Sequence, residues 1–432
     1  MDRVRKAFSL KFHSILRPYW AITLFCIIGA VEFSYFTLRG LGNDFPVFYD
    51  AGQLFLNFQS PWGAVIDPIH SAYLNGPLTA LVISPLAIVP QDIALGVTRA
   101  ISIILIPFIT FQVSKYFSPL QELSFLNKRI WLASSFILFA FPIRANLEYG
   151  QFFVVFLALA VSALRLSICE SNGLRLCSGF LIGVCCDYKP QSFLIFALLI
   201  CFRNRYIFLG GILAFISSTT LSTFLTDKPP YLVWGKALLT RFEGGVTGDQ
   251  MHIYALFPGF WSVFLSSVIA TFALIHWVLN RTRFSVPQKT TFIIFITVLL
   301  SPWLHPTDLV LFGVFAVGIA TWNNGLTILT SLALGTLLVW SNNLLINVSL
   351  ALISAFILYF YLGQNLENTI MKKLLIALPP VLFALLAYTT PDLESTLRRY
   401  LGLVSIVSIT ALVTVSRSEE PRTVQALALN QE

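Results

Sequence analysis

Long apolar runs alternate with short polar connections along most of this chain. The runs approach the roughly 20 residues that a helix needs to cross a bilayer. They predict membrane helices over 19–38, 92–114, 130–147, 151–168, 176–188, 191–202, 206–226, 256–279, 290–303, 308–322, 325–341, 344–362, 374–390 and 400–416. The runs at 176–188, 191–202 and 290–303 are short enough to be tilted, re-entrant or half-helical, so about 12–14 spanning helices are expected. The fold class is an all-α polytopic membrane protein.

Composition agrees: with 56% hydrophobic and 11% charged residues, a soluble chain of 432 residues could not cover its surface. The net charge of +8 raises nucleic acid as a partner, but the basic residues sit between apolar runs rather than in a stripe or tail, so no nucleic acid is expected. Topology accounts for them. Arg3, Arg5, Lys6, Lys11 and Arg17 precede the first run, which is too long for a cleavable signal and lacks a small-residue cleavage site. The positive-inside rule places residues 1–18 in the cytoplasm. Lys115, Lys128, Arg165, Arg175, Arg203, Arg281 and Lys372 then fall on inner connections, while Asp44, Asp50, Glu148, Asp187 and Asp249 fall outside. A single transmembrane domain over 19–416 and a cytoplasmic tail over 417–432 follow.

Two outer connections are long. The first, 39–91, contains two apolar stretches punctuated by proline, which predict helices lying in the outer interface. The second, 227–255, is glycine-rich around "EGGVTGD" and reads as a mobile loop over the same face.

Ionisable groups at membrane depth are costly, which makes them candidates for function. Asp44, in "GNDFPVFYDAG", is either a general base among aromatic residues or the N-cap of a helix with Pro46 in its first turn. Lys189, in "CCDYKPQS", either snorkels or presents a cation to a phosphate; the break between two short apolar runs at "YKP" favours a purpose. Arg99 lies inside a run and pairs with an acid such as Glu148 or Glu32, or serves a ligand. Arg144, Glu148 and Gln151 fill the next outer connection, and His305 another, where a structural role competes with a ligand role. With His252, these map to one face and line a cavity opening outward. The six cysteines form no metal pattern, and no HExxH or Asp-x-Asp motif is present, so no metal cofactor is expected.

These stretches, in order, resemble glycosyltransferase family 87 of the GT-C superfamily, the polyprenyl-phosphate-mannose-dependent mannosyltransferases. "DFPVFYDAGQLFLNFQSPWG" is similar to the family's first outer loop. "YLNGPLTALVISPLAIVP" resembles its Tyr-x-x-Pro-Leu segment, "YGQFF" its Gly-Gln-x-Asn helix start, and "GFLIGVCCDYKPQSFLIFALLICFRNR" its Gly-x-x-x-Gly…Lys-Pro…Arg segment. "LLSPWLHPTD" is a weaker echo. Trp62 stands where tyrosine is common, Phe153 replaces the family's Asn, and His305 is followed by proline.

The resemblance implies a GT-C-type bundle and a hexosyltransferase that moves a sugar, mannose first, from a polyprenyl phosphate to an extracytoplasmic glycolipid or glycan with inversion. In it Asp44 is the base. Lys189, Arg99 and Arg144 contact the donor phosphate. Tyr49, Glu148, Gln151, His252 and His305 contact substrate. A bacterial inner membrane, with the site toward the periplasm and membrane lipids around the bundle, is the expected setting. The alternative is a transporter or flippase of lipid-linked sugars, which predicts inverted repeats and polar groups at the midplane; no repeat is visible.

Overall fold

The computed structural model describes residues 19–40, 42, 44–62, 73, 75–117, 124–139, 141–189, 193, 204–226, 230–243, 267–268 and 271. All regular structure among these residues is helical. In chain order the helices are α1 (Trp20–Leu38), α2 (Phe45–Leu56), α3 (Pro77–Ile83), α4 (Gln91–Phe117), α5 (Lys128–Phe139), α6 (Phe141–Tyr149), α7 (Phe153–Ser167), α8 (Asn172–Tyr188), α9 (Arg205–Thr226) and α10 (Pro230–Glu243). A 3-10 turn, Ser84–Ile88, continues α3.

Among the described residues, three helices are long and apolar enough to cross a bilayer: Trp20–Leu38, Gln91–Tyr116 and Arg205–Phe224. They leave large apolar side chains uncovered, among them Val31, Ile104 and Phe224. Water would penalise such a surface, whereas lipid tails match it.

The packing follows small residues. In α8 and α9, Gly179 and Gly210 face each other's backbones so closely that a Cβ on either would strike main-chain atoms of the partner helix. Within a bilayer no hydrophobic drive holds helices together, so this backbone approach supplies the van der Waals contact that does. On its other side α8 packs on α7, where Ser178 Oγ donates to Ala163 O at 2.7 Å and Cys185 Sγ to Phe156 O at 3.2 Å.

The first long connection is built on the bundle. Helix α2 buries Phe45, Phe48, Tyr49, Ala51, Gly52 and Phe55 on one face. That face meets the 3-10 turn, with Tyr49 Oη donating to Val89 O at 2.8 Å. The apolar stretch at 130–147 departs from the single span its hydropathy predicts. It divides into α5 and α6 beside Pro142, which has no N–H to continue the ladder of α5. The predicted spans at 191–202 and beyond 256 lie outside the described residues, apart from Phe193 and short fragments.

Candidate active site

The ends of several helices meet at one pole of the bundle. The C-terminal ends of α1, α6 and α8 lie there beside the N-terminal ends of α4 and α7, as the contacts below establish. Asp44 follows α1, Gln151 sits between α6 and α7, and Lys189 follows α8. Distant in sequence, the three are joined in space.

Asp44 occupies the N-cap position of α2, yet its carboxylate makes no capping bond. Gln151 Nε2 instead donates to Asp44 Oδ2 at 2.5 Å. On the other side Lys189 Nζ donates to Gln151 Oε1 at 3.3 Å. The amide can serve both charges in this orientation alone, because a carboxylate only accepts and an ammonium only donates. Its turn is fixed by Gly150, whose φ of +69° ends α6 in the left-handed region. Gln151 N then bonds back to Asn146 O at 3.0 Å. A side chain at position 150 would also meet Phe45 Cβ at 2.6 Å and Leu95 Cδ1 at 2.8 Å. The Asp44 main chain is held to the same turn, its N–H bonding to Tyr149 O at 3.3 Å.

Lys189 is buried, with 8% of its surface exposed. Its ammonium lies 5.3 Å from the Phe153 ring centre and 5.7 Å from that of Tyr188. These π faces help offset the desolvation of the charge. Tyr188 is itself stacked on Phe156 with ring centres 4.1 Å apart. Phe153, which stands where the resemblance calls for Asn, therefore contributes an aromatic wall against the ammonium.

The remaining candidates occupy other places. Arg99, read from the sequence as a ligand of the donor phosphate, is 3% exposed and spends its guanidinium on main-chain carbonyls. Nε bonds to Leu147 O at 2.9 Å, Nη1 to Phe36 O at 2.9 Å and Nη2 to Gly40 O at 3.1 Å. Arg144, the other expected phosphate contact, pairs with Glu32 of α1 at 3.2 Å. Glu148 pairs with Arg39 at 3.3 Å on the surface. Tyr49 is buried in the α2 face with its hydroxyl committed to Val89. His252 and His305 lie outside the described residues.

One group at this pole is absent from the sequence-derived site. Asp187, 5% exposed, accepts from Thr79 N at 3.0 Å through Oδ2 and from Tyr231 Oη at 2.7 Å through Oδ1. Burial, and then the charge of Asp187, push the Tyr231 phenol well above its ordinary range, so it stays a donor. The signal was an acid two residues from Lys189 in an apolar run, but its partners come from connections that sequence spacing does not bring together.

The helices and this pole define a membrane protein that holds a carboxylate and an ammonium on either side of one amide. The family model for glycosyltransferase family 87 matches residues 73–302, more than half of the 432-residue chain. The chain belongs to glycosyltransferase family 87 and is an integral membrane glycosyltransferase. No curated protein and no solved structure matches it. The matched stretch includes Arg99, Arg144, Glu148, Gln151, Lys189 and His252. Asp44 and Tyr49 precede it and His305 follows it, so the link from Asp44 to the matched region is its contact with Gln151 and Tyr149.

Proposed function

We propose that this protein transfers a sugar, mannose in the first instance, from a polyprenyl phosphate to a hydroxyl group of an extracytoplasmic glycolipid or glycan. The observation that carries the reading is the Asp44–Gln151–Lys189 chain at one pole of the bundle. Asp44 takes the proton of the acceptor hydroxyl as its oxygen attacks the anomeric carbon. The bond from that carbon to the phosphate oxygen breaks, and the electron pair leaves with polyprenyl phosphate. Attack opposite the departing phosphate inverts the anomeric centre. The leaving group is an anion, so it needs positive charge more than a proton donor, and Lys189 supplies it.

The bridging amide suits this division of labour. A direct Asp–Lys ion pair would commit each charge to the other, whereas Gln151 orients both without pairing them. Arg99, Arg144, Glu148 and Tyr49 then frame the site through the contacts described above. His252 and His305 retain substrate contacts as their assignment. The pole faces the periplasm of a bacterial inner membrane in this reading, because the basic connections lie at the opposite side.

Purified protein in liposomes, given labelled polyprenyl-phosphate mannose and a panel of glycolipid acceptors, tests the proposal. Wild type should transfer, and Asp44→Asn, folded and monodisperse, should be slower by about 100-fold or more. Undiminished transfer by the variant would remove Asp44 from the role of base.

A further inference from the structure

Asp187 is a buried ionisable group that this mechanism leaves unused. Each of its acceptors is taken by a different part of the chain. Oδ2 takes the N–H of Thr79, the third residue of α3, at 3.0 Å. Oδ1 takes the Tyr231 hydroxyl of α10 at 2.7 Å, and the main-chain carbonyl takes Gly76 N at 2.8 Å. Tyr231 Oη also lies 2.9 Å from Ser218 Oγ of α9, so the node extends to a fourth helix. The N-cap residue of α3 is Gly76, which has no side chain to cap with, and the carboxylate of Asp187 makes that bond from across the fold. The fit is tight: a Cβ on Gly76 would lie 2.5 Å from Asp187 Cγ and Oδ1.

We propose that Asp187 is a positioning residue for the donor-phosphate contact: by fixing the end of α8 against α3 and α10, it sets where Lys189 stands. Lys189 is two residues further on, just past the last turn of α8, with its N–H still bonded to Cys185 O at 3.2 Å. The reach of its side chain to Gln151 therefore depends on where α8 ends, and Asp187 ties that end to α3 and α10. The inference rests on the reading of Lys189 given above.

The test uses full-length protein in nanodiscs, with Asp187→Asn, Gly76→Ala and Tyr231→Phe compared with wild type. Asn keeps the shape but turns an N–H toward a donor, and Gly76→Ala keeps the charge but displaces it. Both should weaken binding of polyprenyl phosphate and raise the donor KM about tenfold, leaving the acceptor KM unchanged. Tyr231→Phe, which leaves the Thr79 bond, should have a smaller effect in the same direction. Hydrogen exchange in peptides over 76–83 should be faster in Asp187→Asn.

Folded variants with wild-type affinity for polyprenyl phosphate would overturn the proposal, as would equal rises in donor and acceptor KM. Wild-type behaviour of Gly76→Ala alone would mean that charge, not position, matters, and would overturn it too. Unchanged exchange over 76–83 would sink the pinning by itself, whatever the reaction. If wild type neither binds polyprenyl phosphate nor transfers from it, the reading of the reaction falls first, and that outcome is distinct from variants that match an active wild type.

Discussion

Asp44 stands at a helix N-cap without capping it. A capping aspartate has extended backbone and turns its carboxylate onto the N–H groups of its own helix. Here the backbone is helical, φ −93° and ψ −22°, and the carboxylate points to Gln151. The local sequence allows either use, and only the distant partner separates them. If the amide orients both charges, Gln151→Leu, of similar size but unable to hydrogen-bond, should lower kcat about tenfold or more with little loss of thermal stability. Initial rates beside thermal melts check this; full kcat would show that the amide is not used. Asp44, Gln151 and Lys189 stand out in the sequence because polar groups amid apolar residues are conspicuous. The place of Arg99 does not, because its acceptors are main-chain carbonyls, which nearly every residue carries alike.

Between elements, Arg99 works as a clamp. It projects from α4 and bonds to Phe36 O and Gly40 O at the end of α1 and to Leu147 O near the end of α6. Those segments lead within a few residues to Asp44 and Gln151, so the clamp fixes the frame on which the 2.5 Å contact hangs. The Arg144–Glu32 pair fastens α1 to α6 a second time. Lysine keeps the charge of Arg99 but carries its donors on one nitrogen and cannot fork across two segments. Arg99→Lys should therefore reduce kcat about tenfold while the donor KM stays near wild type. Steady-state kinetics decide: a raised donor KM with unchanged kcat would return Arg99 to the phosphate. The helices themselves were legible. The predicted runs at 19–38, 92–114 and 206–226 became Trp20–Leu38, Gln91–Phe117 and Arg205–Thr226. At 130–147, continuous hydropathy concealed the break at Pro142, because apolarity reports the surroundings of a segment and not whether its hydrogen-bond ladder is unbroken.

For the whole molecule, the decisive feature is that Asp44, Gln151 and Lys189 meet at one pole although they follow or precede helices of opposite direction. Arg99, near the start of α4, touches the end of α1, which makes those helices antiparallel. Lys189, at the end of α8, meets Gln151, just before α7, which does the same for that pair. Among the described residues such an alternating thread puts these turns on one side, and the proposed orientation rests on the basic connections at the other. Charge along the sequence predicts an orientation, which packing alone does not. It yields a prediction independent of the reaction. Phe58, 66% exposed in the turn after α2, belongs to the pole that carries Asp44. Glu170, exposed between α7 and α8, belongs to the opposite one. In a background with the six native cysteines replaced, Phe58→Cys should react with a membrane-impermeant maleimide in intact cells. Glu170→Cys should react only after the membrane is opened. The reverse pattern would turn the pole toward the cytoplasm, where an extracytoplasmic acceptor could not reach Asp44, and the proposed reaction would need a different acceptor.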